Sequence, residues 1–320
     1  MNAYAPYSWQ QAQMQRLEHA IEQQRLPHAI LISGPAGVGK QHLADCLIHR
    51  VLKKHMTSAK FEALLAAGTH PDVRIVSLLN DKKQIAVDQI RALSEGLALT
   101  PQISNIKIAV IQPAELMNRA AANALLKTLE EPSGNTLIIL LSHNPGRLPL
   151  TIRSRCQHIP QRMPDSREAG IWLSEQGVTN YQAYLELTSG APLLAESAAE
   201  NKWLEQHQYL LDDLSGLIDR QGNIVSISAK WRESDVTLLI RWIKNLVKSL
   251  VISKLSEQIT SDMAGNFLKN LKISLDRIDL IKLIGYSDFL DQSELEINNN
   301  LNRELFLEQI FTRWAALSPS

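Results

Sequence analysis

Ala29-Ile30-Leu31-Ile32-Ser33-Gly34-Pro35-Ala36-Gly37-Val38-Gly39-Lys40-Gln41 is the stretch that decides the fold. Five apolar or small residues predict a buried strand over 29–33. The strand runs into a G-x-x-x-x-G-K frame, Gly34 to Lys40, and a helix is predicted over His42 to Lys53. Glycines let backbone N–H groups approach phosphate oxygens, and the lysine adds a point charge. Gly34, Gly37, Gly39 and Lys40 are therefore the candidate nucleotide-binding residues. The next residue should carry a hydroxyl for Mg²⁺, and it is Gln41.

Outward from this loop, helix and strand patterns alternate. A helix is predicted over Trp9 to Gln24. Strands are predicted at Val73 to Val76, Lys107 to Ile111 and Thr136 to Leu141, with helices at Val87 to Leu97 and Asn118 to Glu130. Such alternation implies a parallel sheet covered by helices. After Pro160 no further strand is predicted. Helices follow at Trp203 to Ile218, Val236 to Leu255, Phe267 to Leu271, Arg277 to Leu290 and Leu301 to Trp314. Asn298-Asn299-Asn300 makes a polar break before the last. The fold class is α/β plus all-α. Residues 1–162 form the nucleotide-binding-like domain, 163–202 a small helical module and 203–320 a helical domain.

Lys and Arg total 33, as do Asp and Glu, so a uniformly basic nucleic-acid binder is disfavoured. Cys46 and Cys156 lie far apart and form no CxxC pair, which fits a reducing cytoplasm. The N-terminus does not read as a signal peptide. No apolar run reaches the roughly 20 residues that span a bilayer, so no membrane partner is expected.

A magnesium-dependent ATPase also needs an acid at the end of a neighbouring strand. The strand Ile108 to Ile111 is followed by Gln112 and Pro113. Gln is a poor magnesium ligand beside a carboxylate, and Pro has no side-chain base. Glu115 reads as a solvated loop residue rather than a replacement. Between His49 and Gly68 there is no cysteine, and the nearby histidines lack a ligand set, so no metal is expected. A packed helix through Phe61-Glu62-Ala63-Leu64-Leu65 would occupy that interval.

The string Ala121-Ala122-Asn123-Ala124-Leu125-Leu126-Lys127-Thr128-Leu129-Glu130-Glu131-Pro132 is by composition a strong helix former stopped by Pro132. As a string it resembles bacterial sliding-clamp loader subunits of the AAA+ class. Leu26-Pro27-His28, Gly68-Thr69-His70-Pro71-Asp72 and Ser154-Arg155-Cys156 extend the resemblance over residues 26 to 160.

The resemblance implies an AAA+ P-loop domain, a small helical lid and a C-terminal helical collar. It also implies that Arg155 reaches as a trans arginine finger into a neighbour's ATP site. Ser142 would stand at the family's first phosphate-sensor position, and the second-sensor arginine would fall near uncharged Leu193. The expected partners are the gamma/tau and delta clamp-loader subunits, the sliding clamp, and primed DNA through the complex.

Gln41, Gln112 and Pro113 depart from the family's motors. They imply a non-hydrolysing component of the DNA-directed DNA polymerase III holoenzyme, itself a nucleotidyltransferase. Such a component needs no cofactor and binds ATP or ADP weakly at most. Two other readings compete: a self-sufficient AAA+ ATPase with unusual metal ligands, and a P-loop small-molecule kinase. The helical C-terminal third and Ser-Arg-Cys argue against the kinase.

Overall fold

The computed structural model describes residues 4–55, 60–79, 82–255, 278–296 and 302–318. Its contacts divide the chain into two compact units. One comprises Met1–Glu175 with Gly190–Leu194, the other Gln176–Ser189 with Ala195–Ser320.

The first unit is built on a five-stranded parallel sheet. Its strands are β1 (Ala29–Ser33), β2 (Val73–Val76), β3 (Lys107–Ile111), β4 (Thr136–Ser142) and β5 (Gln157–Pro160). The spatial order is β2-β3-β4-β1-β5. Every residue of β1, β3 and β4 is buried, because a parallel sheet is covered on both faces. Alternation sorts the side chains. Ile30, Ile32, Ile108, Val110, Leu137 and Ile139 join one core with Met14 of α1 (Gln11–Glu22), Leu47 of α2 (Lys40–His55) and Phe61 of α3 (Lys60–Ala66). Leu31, Ala109, Ile111, Ile138 and Leu140 join the other. There they meet Ile90 of α4 (Val87–Ala98), Leu125 of α5 (Arg119–Glu130) and Ile152 of α6 (Leu150–Arg153).

Two edges frame this sheet. β2 is half-exposed, and β5 is largely exposed. β5 is a fifth strand that the sequence patterns did not predict, and it ends at Pro160, after which no strand was expected. It pairs with β1 from Ile30↔Gln157 to Ser33↔Pro160. Only four residues long and mostly polar, it carries no periodic apolar signal. α3 supplies the packed helix expected between the loop helix and β2, with Phe61 buried. α7 (Ser166–Glu175) completes this unit's helices.

In the second unit are α8 (Tyr181–Leu187), α10 (Trp203–Ile218), α11 (Ile224–Trp231), α12 (Val236–Leu255), α13 (Leu280–Glu296) and α14 (Arg303–Ala315). The intervening helix α9 spans Pro192–Glu200. The core of the second unit centres on Leu214, Ile243, Leu250, Leu290 and Phe311. Trp314 is fully buried there, and its Nε1 donates to the Leu214 carbonyl at 2.8 Å. Buried indole N–H groups need such a partner. The helix expected at Phe267 to Leu271 and the break at Asn298-Asn299-Asn300 lie outside the described residues.

Candidate functional site: the glycine loop and the Ser-Arg-Cys arginine

The loop 34–39 joins the carboxyl end of β1 to the start of α2, the setting a phosphate cradle requires. Register puts Ser33 beside Ser142, and Gly34 N donates to the Ser142 carbonyl at 3.1 Å. The loop is tightly covered by its own chain. Gly37 has φ +78°, and an added Cβ would lie 2.6 Å from Leu194 Cγ. Gly39 has φ +83°, and its added Cβ would lie 2.6 Å from Tyr7 Cε2. Both positions exclude other residues on conformation and on space.

An aromatic group flanks the loop. Tyr7 stacks on Trp9 with centroids 4.8 Å apart, and Trp172 meets both rings edge-on. Trp9 Nε1 and Gln10 Nε2 donate to the Val38 carbonyl at 3.0 and 3.1 Å, and Gln10 Nε2 reaches Gly39 O at 2.8 Å. Sequence reading missed this N-terminal brace. Its only signal was three polar or aromatic residues ahead of α1.

Lys40 is 5% exposed. Its ammonium donates to the carbonyls of Gly34 and Pro35 at 2.7 and 2.6 Å and to Nδ1 of His143 at 2.8 Å. Burial lowers its pKa to about 8, against an opposing pull from Glu115. The charge expected to meet phosphate is thus engaged with its own loop. Gln41 turns along α2, donating to Asp45 Oδ1 at 2.8 Å. Gln112 directly follows β3, and its N donates to Val76 O at 2.9 Å. The side chains at Gln41, Gln112 and Pro113 supply neither hydroxyl nor carboxylate, so they do not fit a Mg²⁺–nucleotide group.

Two readings change. Glu115, expected to be a solvated loop residue, is half-buried and accepts from the backbone N–H of His143 and Asn144 at 2.9 and 3.3 Å. It fixes the turn after β4. The segment ending in Asp72 plays a structural part. Its carboxylate accepts from the N–H of Gln102, Ile103 and Ser104 and lies 3.4 Å from buried Lys107. Despite its burial, those hydrogen bonds hold its pKa down to about 2. Ser142 is fully buried, and its hydroxyl has no partner among the described residues.

Arg155 lies between α6 and β5, well away in sequence from the loop. Its side chain is 36% exposed. Nη1 donates to the Thr151 carbonyl at 2.9 Å, and Nη2 lies 2.5 Å from Glu130 Oε1. Neighbouring Cys156 is half-buried, and burial pushes its thiol up to about 11, which keeps it an inert packing group. Among the described residues no group of three or more His, Cys, Asp or Glu could hold a metal ion, and no helix is long and apolar enough to cross a membrane.

A parallel sheet with a glycine loop after its first strand, followed in the chain by a helical unit, defines a P-loop fold. A Thermotoga maritima DNA polymerase III gamma subunit-related protein has the same fold, with a TM-score of 0.52 and 20% identity over 95% of this chain and 99% of that one. The family model described as DNA polymerase III, delta subunit, matches residues 9–164. The DNA polymerase III subunit delta' of Pseudomonas aeruginosa is 33% identical over 97% of this chain and 98% of its own. That of Escherichia coli is 26% identical over 96% and 94%. The chain belongs to the delta' family of DNA polymerase III clamp-loader subunits.

Proposed function

We propose that this chain is the non-hydrolysing member of a clamp loader and lends Arg155 to the ATP site of a neighbouring subunit. One contrast carries the reading. The positions that would serve the chain's own site hold Gln41, Gln112 and Pro113, while Arg155 keeps a partly exposed guanidinium anchored at two nitrogens. A guanidinium aimed at a γ-phosphate stabilises charge that develops during transfer, an effect worth roughly 10³–10⁵ in rate. The partners are the gamma/tau and delta subunits, with the sliding clamp and primed DNA engaged through the complex. Residues 163–202 act as lid and 203–320 as collar, inside a cytoplasmic holoenzyme whose nucleotidyltransferase chemistry lies in another subunit. Nucleotide at Gly34–Lys40 binds weakly at most.

The loader reconstituted with Arg155→Ala tests this: DNA-stimulated ATP hydrolysis and clamp loading should fall. Unchanged rates would remove the finger role. The competing reading, a self-sufficient ATPase, requires steady hydrolysis by the isolated chain that Lys40→Ala abolishes.

A further inference from the structure

The helix α5 is pinned where it ends. Pro132 blocks its continuation, and the Glu131 N–H closes on Lys127 O at 3.0 Å. From the other side, His28 Nε2 donates to the Leu129 carbonyl at 2.8 Å. The same His28 accepts the Ile138 N–H through its carbonyl at 2.7 Å, so the helix end is tied to the sheet. Glu130 is the last residue of this fixed helix, and its carboxylate meets Arg155 Nη2. Thr151 O, at the start of the turn that carries Arg155, takes Nη1.

We infer that Glu130 is a positioning residue for Arg155, a reading that rests on the trans-finger proposal above. A guanidinium is a rigid planar fork with five N–H donors. Two acceptors on different elements, one on each terminal nitrogen, fix the plane of that fork. Nη1 also lies 3.5 Å from Ser154 Oγ in the same turn, and the remaining donors are left to meet an acceptor outside the chain. At 36% exposure the group is held and still presented. Without Glu130 the side chain keeps only contacts of Nη1 within its own turn, to Thr151 O and Ser154 Oγ, and it must lose rotamer freedom each time it engages a phosphate. The negative end of the α5 dipole adds a small attraction for the cation.

The assay is DNA-stimulated ATP hydrolysis by the loader reconstituted from this chain, the ATP-hydrolysing subunits, the clamp and primed DNA. The quantity read is the part of the rate that Arg155→Ala removes. Glu130→Ala should lower that part about 2- to 5-fold, the range of a solvent-exposed ion pair. The loss should fall on kcat, with KM for ATP unchanged, because the finger acts on charge formed in the transition state. Glu130→Gln keeps an acceptor oxygen and should restore most of it. Adding Glu130→Ala to Arg155→Ala should change nothing further. The unfolding midpoint should move by less than about 2 °C, since the pair lies at the surface. If Arg155→Ala lowers the rate and Glu130→Ala leaves it unchanged, positioning is wrong and the finger stands. A faster Glu130→Ala loader makes Glu130 a restraint and overturns positioning as well. An inert Arg155→Ala removes both.

Discussion

The ammonium of Lys40 lies 2.8 Å from Nδ1 of His143, the residue that follows β4. An ammonium has no lone pair, so it donates in this contact and Nδ1 accepts. This contact joins the glycine loop to the next strand's end through a side chain usually associated with phosphate.

Lys40→Met should therefore act on the fold. The carbonyls of Gly34 and Pro35 would lose a buried donor, at a cost of about 1–3 kcal/mol. Denaturant unfolding of the variant measures the loss. Calorimetric titration of the unaltered chain with ATP, with and without Mg²⁺, should give weak heats at most. Tight, magnesium-dependent binding would contradict the proposed role of this loop.

Asp72→Asn should be among the most damaging exchanges in the first unit. It leaves Lys107, 3% exposed, as an uncompensated buried charge. Breaking such a pair costs about 3–5 kcal/mol. In the unaltered chain the carboxylate's folded pKa of about 2 lies below its ordinary 3.8. Its stabilising contribution is complete above about pH 3.8 and is lost as pH falls through 2. Acid unfolding curves of the two chains should converge across that window.

His207 should tie the helical unit to pH in a milder range. Burial lowers its pKa from 6.5 to about 4. Above pH 6.5 the ring is neutral folded or unfolded. Between 6.5 and 4 the unfolded chain takes up a proton that the folded chain does not, so stability falls as pH falls. Thermal melts from about pH 7 to 4 should show this slope, and His207→Gln should flatten it. An equal slope in the variant would assign the effect elsewhere.

Trp314→Ala should loosen the helical unit by about 3–5 kcal/mol, the cost of deleting a fully buried large aromatic side chain. The Leu214 carbonyl loses its indole donor as well. Trp314→Phe should cost less, and the difference between the two variants, read from their unfolding curves, separates lost volume from the lost hydrogen bond.

The central strands were legible because burial on both faces writes an uninterrupted apolar run. Ala29–Ser33 and Lys107–Ile111 begin and end at the residues that composition suggested. β5 was not, because Gln157, His158 and Pro160 gain their place from pairing with β1 rather than from any pattern of their own. The glycine loop was visible by spacing. Its brace by Tyr7, Trp9 and Gln10 was invisible, because contacts across roughly 30 residues leave no local periodicity. Glu115 read as a solvated loop residue for the same reason: its partners, His143 and Asn144, lie on another strand's end.

The sequence by itself determined the alternating α/β plan, the glycine loop, the loss of magnesium-ligating residues at Gln41, Gln112 and Pro113, and the candidate finger at Arg155. The first three follow from residue chemistry and spacing, which are local, and the finger role is what the resemblance to clamp-loader subunits implies for Arg155. Only the tertiary structure decided that Lys40 turns onto its own loop, that Asp72 staples three backbone N–H groups, and that Glu130 and Thr151 hold the Arg155 guanidinium. Each depends on a donor and an acceptor that chain folding brings within about 3 Å, a distance at which hydrogen bonds form and about which neighbours in sequence say nothing.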